Sequence, residues 1–202
     1  MNNQTDKIKS RYNRISNVYN GMDHMIRPTW RKEMLRGLKG NILEVGVGTG
    51  ANFEYYPINV DVTGIDFSPK MLEKAKEKLP DSKATITLKE MDIEEMDFPD
   101  NTFDVVISSC VFCSVPNPVE GFKEIRRVVK PEGTIIMLEH MRSENQIVGK
   151  MLDLINPLAV RLSGANINRE TISNIEKAGL KIKSQEYLMT SIMRKLVISP
   201  NK

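Results

Sequence analysis

The stretch from Asn41 to Asn52 leaves this chain little freedom in how it folds. It opens with a short apolar run, Ile42, Leu43 and Val45, which reads as a buried parallel strand. It then breaks into Gly46, Gly48 and Gly50, spaced two apart. Glycines there let the backbone turn sharply and approach a ligand closely, because no Cβ intervenes. Ala51, Asn52 and Phe53 can begin a helix whose N-terminus faces the same ligand. Strand, glycine turn and helix start together predict a nucleotide cradle in an α/β fold.

Asp66 strengthens that reading. It ends a second apolar run beginning at Val60, twenty positions past Gly46. An acidic side chain there can accept hydrogen bonds from both ribose hydroxyls. Two ligand classes fit the spacing. One is a dinucleotide, since Gly46-x-Gly48-x-x-Ala51 matches that looser fingerprint. The other is S-adenosylmethionine. Glu44, just before the glycines, favours the second: a carboxylate suits an ammonium-bearing ligand and repels a pyrophosphate.

The run Glu44-x-Gly46-x-Gly48-x-Gly50 resembles motif I of class I S-adenosylmethionine-dependent methyltransferases. The likeness extends from about Tyr12 to Lys202. It is greatest to the ubiquinone/menaquinone-biosynthesis-type branch and its small relatives that methylate phospholipid amines or alkyl thiols. The fold implied is a Rossmann-like seven-stranded sheet with an antiparallel last strand, a helical N-terminal lid and a helical cap insertion. A single domain is expected over 1–202: lid helices in 1–40, a cofactor-binding core in 41–140, the cap in 141–168, and a C-terminal helix and hairpin in 169–202.

The chain carries a net charge of +3 over 202 residues, too little to argue for nucleic acid. Its distribution says more. Residues 1–40 hold nine Lys or Arg against three acids, Asp6, Asp23 and Glu33. A basic, helix-prone end on a slightly acidic body suggests an anionic surface or substrate, and peripheral contact with an anionic membrane is the corresponding expectation. No apolar leader and no run long enough to span a bilayer is present, which predicts a cytoplasmic protein. Cys110 and Cys113 have C-x-x-C spacing, yet no thioredoxin-like pattern surrounds them, so they read as small buried residues. No metal constellation appears.

Along the chain, Ile8, Tyr12, Ile15, Val18 and Tyr19 recur at helical spacing over Asp6 to Tyr19. By resemblance this helix lies across the active-site mouth, and Tyr12 and Tyr19 touch cofactor or acceptor. Met25 to Leu38 predicts a second helix. Ser68 and Pro69 cap and start another, to Leu79, placing Met71 and Phe67 beside a ribose or adenine. After a third strand from Thr85, the family places an acidic residue on the adenine amino group; Asp92 matches it, with Ile93 against the ring. Asp104 to Ser109 predicts the central strand. Ligands bind at the carboxyl edge of such sheets, so the Cys110 backbone and the Phe112 side chain are candidates for cofactor and acceptor contact. The Asn/Asp-Pro-Pro-Tyr motif of amino-group nucleic-acid methyltransferases is absent there, which argues against a nucleobase substrate.

Pro118 to Val129 reads as a helix, Lys130 to Gly133 as a turn, and Thr134 to Glu139 as strand five. Asn145 to Leu162 carries an apolar stripe that, by resemblance, caps the acceptor pocket. A helix from Ile172 to Ala178 and two closing strands complete the chain.

Methyl transfer from a sulfonium is an in-line displacement in which a protein mostly positions and desolvates the partners. A base is needed only where the acceptor must lose a proton. His140, ending strand five, is the base candidate, and Tyr19 is the other catalytic candidate. His24 reads as structural. Arg169 can meet a phosphate or carboxylate on the acceptor, or pair with Glu139 or Glu170. The leading expectation is a methyltransferase acting on a phospholipid amine, releasing S-adenosylhomocysteine. Alkyl thiol and quinone acceptors rank below it. A nucleotide-dependent oxidoreductase and a non-catalytic S-adenosylmethionine-binding protein lie outside that class.

Overall fold

The computed structural model describes residues 3–15 and 26–202. Helix α1 spans Asn3–Ile15 and α2 spans Pro28–Leu35. The core then alternates: β1 Asn41–Val45, β2 Asp61–Asp66, α3 Pro69–Glu77, β3 Thr85–Glu90, β4 Phe103–Ser109, α4 Pro118–Val128 and β5 Val129–His140. Helix α5, Gln146–Ser163, and the short α6, Thr171–Lys177, precede a hairpin of β6, Lys181–Met189, and β7, Met193–Ser199.

The seven strands form one sheet in the order β3-β2-β1-β4-β5-β7-β6. β1 to β5 pair in parallel, whereas β7 runs antiparallel to both β5 and β6. The antiparallel final strand matches the expected topology. The order reverses between β1 and β4, and a crevice opens at the carboxyl ends of strands beside such a point.

Two apolar layers cover the sheet. Met34, Leu35, Phe53, Tyr56 and Leu72, from α2, the chain after β1 and α3, fill one. Phe122, Ile125, Val128 and Ile175, from α4 and α6, fill the other. Local chemistry sets the helix ends. The Ser68 hydroxyl accepts the Met71 N–H at 3.2 Å and Pro69 follows it, so α3 starts there. The Asn145 side chain accepts from Ile147 and Val148 at the start of α5, and Gly164, with φ +85°, ends it.

Three local expectations are corrected. The segment after the glycines forms a 3-10 turn, Phe53–Tyr55, rather than an α-helix, because Pro57 stands only two residues past its end. Lys130 to Gly133 is not a separate turn but an irregularity within β5. Phe103 pairs with Val129 and Val105 with Thr134, so four residues face the single Asp104. The Asp104 carboxylate holds that distortion, accepting from Lys130 Nζ at 2.7 Å and from the Asn41 backbone at 2.8 Å. Helix α2 is shorter than expected and stops at Leu35.

Candidate active site

The crevice at the switch point is a cavity of about 680 Å³ including its open mouth. Gly46 and Gly48 form one wall, Asp66, Phe67 and Met71 a second, Asp92 and Ile93 a third, and Ser109, Cys110 and Ser114 a fourth. Ile8 and Tyr12 of α1 roof it.

The glycine turn is built by three left-handed residues, at φ +64°, +55° and +77° for Gly46, Gly48 and Gly50. A Cβ on Gly46 would fall 2.5 Å from the Val111 side chain, so the turn and the loop after β4 approach as closely as the backbone permits. Asp66, nearly buried, straps this turn to the end of β2. Its carboxylate accepts the Gly48 N–H and the Ser68 N–H, each at 2.9 Å. Burial pushes its pKa up to about 6, against those two donors.

Glu44 stands differently from the expectation. It is buried and does not line the cavity. Its carboxylate accepts from Asn52 Nδ2 at 2.7 Å and from the Tyr56 hydroxyl at 2.8 Å. Asn52 in turn accepts from buried Arg31 at 2.7 Å and donates to Ser109 Oγ at 3.1 Å. Glu44 and Asn52, expected against the cofactor, therefore hold the turn from beneath. Gly50 likewise turns toward Phe53 rather than into the cavity. Alternation along β1 explains this. Leu43 and Val45 enter the layer under α4, so Glu44 points to the opposite layer, where Tyr56 lies.

Helix α1 closes the mouth. The Tyr12 hydroxyl bonds Ser114 Oγ, and its ring meets Phe67 edge-on at 5.8 Å. Asn13 accepts from Ser68 Oγ at 2.7 Å, and Lys9 pairs with Glu90. The lid is thus fastened to the loops after β2 and β4 and to the end of β3. Burial raises the Tyr12 hydroxyl well above its ordinary pKa, so it stays protonated.

Of the expected site residues, Tyr12, Gly46, Gly48, Asp66, Phe67, Met71, Asp92, Ile93 and Cys110 come together around the cavity. Phe112 does not: it is buried in the core, stacked on Phe122 at 3.7 Å, because α4 packs against the loop after β4. His140 ends β5 opposite Met193 and does not line the cavity, and burial lowers its pKa. Arg169 donates to the Val115 carbonyl at 2.6 Å and makes no ion pair with Glu139 or Glu170 among the described residues. It does not line the cavity itself but holds Val115, which does. Tyr19 and His24 lie outside the described residues. Cys113 is buried and Cys110 half-buried. Burial raises both thiols, Cys113 to about 12, so neither is a thiolate at neutral pH.

Two contributors were not expected. Glu139, fully buried, accepts at Oε1 from Ser108 Oγ and from the Val111 and Phe112 backbone N–H groups, so it shapes the loop beneath Cys110. An acid at the end of the apolar run Thr134 to Leu138 was the available signal. Ser114 became visible only once α1 was placed. Among the described residues no cluster suited to a metal occurs, and no helix is long and apolar enough to cross a membrane.

Residues 43–137 match the model of a methyltransferase-domain family. That stretch is similar to a methyltransferase domain. The chain is 42% identical over 103 residues to a phosphatidylethanolamine N-methyltransferase of Cereibacter sphaeroides, covering 50% of this chain and 51% of that one. It is 36% identical over 140 residues to a demethylmenaquinone methyltransferase of Staphylococcus aureus, covering 65% and 56%. The chain thus spans about half the length of the curated relatives it matches. A solved S-adenosylmethionine-dependent methyltransferase of Mesorhizobium loti superposes with a TM-score of 0.63 at 18% identity, over 84% of this chain and 96% of that one. The fold is that of class I S-adenosylmethionine-dependent methyltransferases.

Replacing Asn52 by Ala leaves buried Glu44 and Arg31 each short of a partner. Such a loss costs about 1–3 kcal/mol, or a Tm drop of roughly 3–10 °C for a domain of this length. Calorimetry should show the affinity for S-adenosylhomocysteine reduced about tenfold or more, although Asn52 does not line the cavity. A lower Tm with unchanged affinity would show that the turn supports itself.

Proposed function

We propose that this protein transfers a methyl group from S-adenosylmethionine to the amine of an amphipathic acceptor, a phospholipid amine in the first instance. The bound cofactor supplies an electrophilic methyl on a sulfonium. The left-handed Gly46 and Gly48 leave room for the cofactor against the backbone, and apolar Ile65, Met71 and Ile93 suit an adenine ring. Asp66 holds the ribose hydroxyls and Asp92 the adenine amino group. Two carboxylates among the lining residues suit a cationic ligand.

The observation that carries the choice of acceptor is the set of titratable groups on the cavity wall. Among the described lining residues these are Tyr12, Asp66, Asp92 and Cys110, with no His, Lys or Arg. Tyr12 and Cys110 are held protonated by burial. A thiol acceptor needs a cation to stabilise its thiolate, and a quinol carbon needs a base. A neutral amine needs neither: its lone pair attacks, and the ammonium product releases its proton to water. The phosphatidylethanolamine N-methyltransferase relative supports the same reading.

Methyl-labelled S-adenosylmethionine, incubated with the protein, a total lipid extract, a quinol and an alkyl-thiol panel, should place label in phospholipid head groups. Label only in quinol or thioether would overturn the amine reading. The Asp66 contact also sets a pH dependence. With a pKa of about 6, the carboxyl is mostly protonated at pH 5 and ionised above pH 7. Ligand affinity should therefore fall about tenfold from pH 8 to pH 5, and Asp66→Asn should abolish the slope. Stability moves the other way. A carboxyl raised in the folded state favours folding below its unfolded value and loses that contribution as pH rises through about 6. The acid loss of affinity is thus not this group unfolding the protein. Equal pH slopes in wild type and Asp66→Asn would remove Asp66 from the ribose contact.

A further inference from the structure

Helix α5 is amphipathic in the inverted sense. Its polar side faces the protein. Asp153 pairs with Arg142 at 2.9 Å and accepts from Asn168 at 3.0 Å. Asn156 accepts the Ile167 N–H at 2.9 Å and donates to Asn166 at 3.2 Å. Arg11 of α1 donates to the Val160 carbonyl at 2.8 Å. The apolar side faces outward: Ile147 is 74% exposed, Met151 61%, Leu154 82%, Ile155 49% and Leu158 60%, with Val148 at 37%. On a helical wheel these six share one arc. None lines the cavity, so the stripe expected to cap the acceptor points away from it. A contiguous outward apolar stripe of this kind marks an interaction surface.

The charge around the stripe selects the partner. Lys150 and Arg161, both exposed, flank it on one edge. The helix carries one carboxylate, Asp153, which Arg142 neutralises. Exposed Tyr187 and Met189 extend the patch past the helix start, where the Tyr187 hydroxyl donates to Glu144 at 3.0 Å and Arg194 neutralises that acid. Arg11 ties the C-terminal end of α5 to α1, within the basic segment 1–40. A second copy pairing through this face would offer cations and no unpaired carboxylate to answer them. An anionic bilayer offers apolar chains beneath negative head groups, which matches both features.

We propose that α5 lies in the plane of an anionic lipid surface, with Ile147, Met151, Leu154 and Leu158 inserted among the acyl chains and Lys150 and Arg161 at the head groups. The choice of a bilayer rests in part on the lipid-amine reading. Arg11 ties α5 to α1, which roofs the cavity, so the anchored helix adjoins the lid.

The test is sedimentation of the full chain with vesicles of phosphatidylcholine, alone or mixed with phosphatidylglycerol, for the wild type and for Leu154→Glu/Leu158→Glu. The wild type should bind the mixed vesicles in preference to the neutral ones, and the double variant about tenfold or more weakly. The variant's thermal shift with S-adenosylhomocysteine should be unchanged, which reports an intact fold. In a Leu154→Trp variant, the added fluorescence should shift to the blue on the mixed vesicles. Absence of wild-type binding, equal binding of both forms, or a wild-type dimer that the double variant dissociates would each overturn the proposal. Vesicle binding without label in any lipid amine would leave this inference standing and remove the function reading. Methylation of a short-chain lipid amine in solution without vesicle binding would do the reverse.

Discussion

A buried hydrogen-bonded chain, Arg31 to Asn52 to Glu44 to Tyr56, underlies the rest of the site. Three left-handed glycines at alternate positions lose more conformational freedom on folding than any other residues would, so the turn they make needs outside support. The chain supplies it from below, and Asp66 supplies it from the side through Gly48. Charged groups in that position are costly to bury unless each is satisfied, and here the amide of Asn52 joins the cation to the carboxylate. The glycine wall of the cavity is therefore backbone, fixed from beneath by Arg31, Asn52, Glu44 and Tyr56, which do not line the cavity, and from the side by Asp66, which does.

The opposite rim is assembled from more distant parts of the chain. Glu139 of β5 holds the loop after β4 through two backbone N–H groups, and that loop presents Ser114 to Tyr12 of α1. Lid, loop and sheet edge are thus linked by a few polar contacts around an otherwise apolar cavity. A cavity so lined positions and desolvates its contents and offers little acid–base assistance, which is what transfer of an already activated methyl requires. Opening the mouth means breaking the Tyr12, Asn13 and Lys9 contacts together.

Much of this was legible in the sequence because it is carried by backbone conformation and strand order. Gly46, Gly48 and Asp66 announce their roles through type and spacing, and the parallel strands through unbroken apolar runs. Side-chain direction was harder to read. Glu44 belongs to a motif next to a ligand, but the two-residue alternation of β1 sends it to the layer beneath. Phe112 lies only three residues past a strand end, and its stacking on Phe122 depends on where α4 docks. The periodicity of α5 revealed an amphipathic helix without its sign, because a stripe at helical spacing looks the same whether it packs inward or outward. His140 sits at the ligand edge by strand count, where its backbone meets the Cys110 thiol, yet it does not line the cavity.

The most direct test of the cradle is a thermal melt of the protein with S-adenosylhomocysteine and, separately, with NADH. A ligand at a hundred times its Kd stabilises the folded state by about 2.7 kcal/mol, which for a domain of this length raises Tm by roughly 5–10 °C. That rise is expected with S-adenosylhomocysteine and none with NADH. A rise with NADH and none with S-adenosylhomocysteine would contradict it.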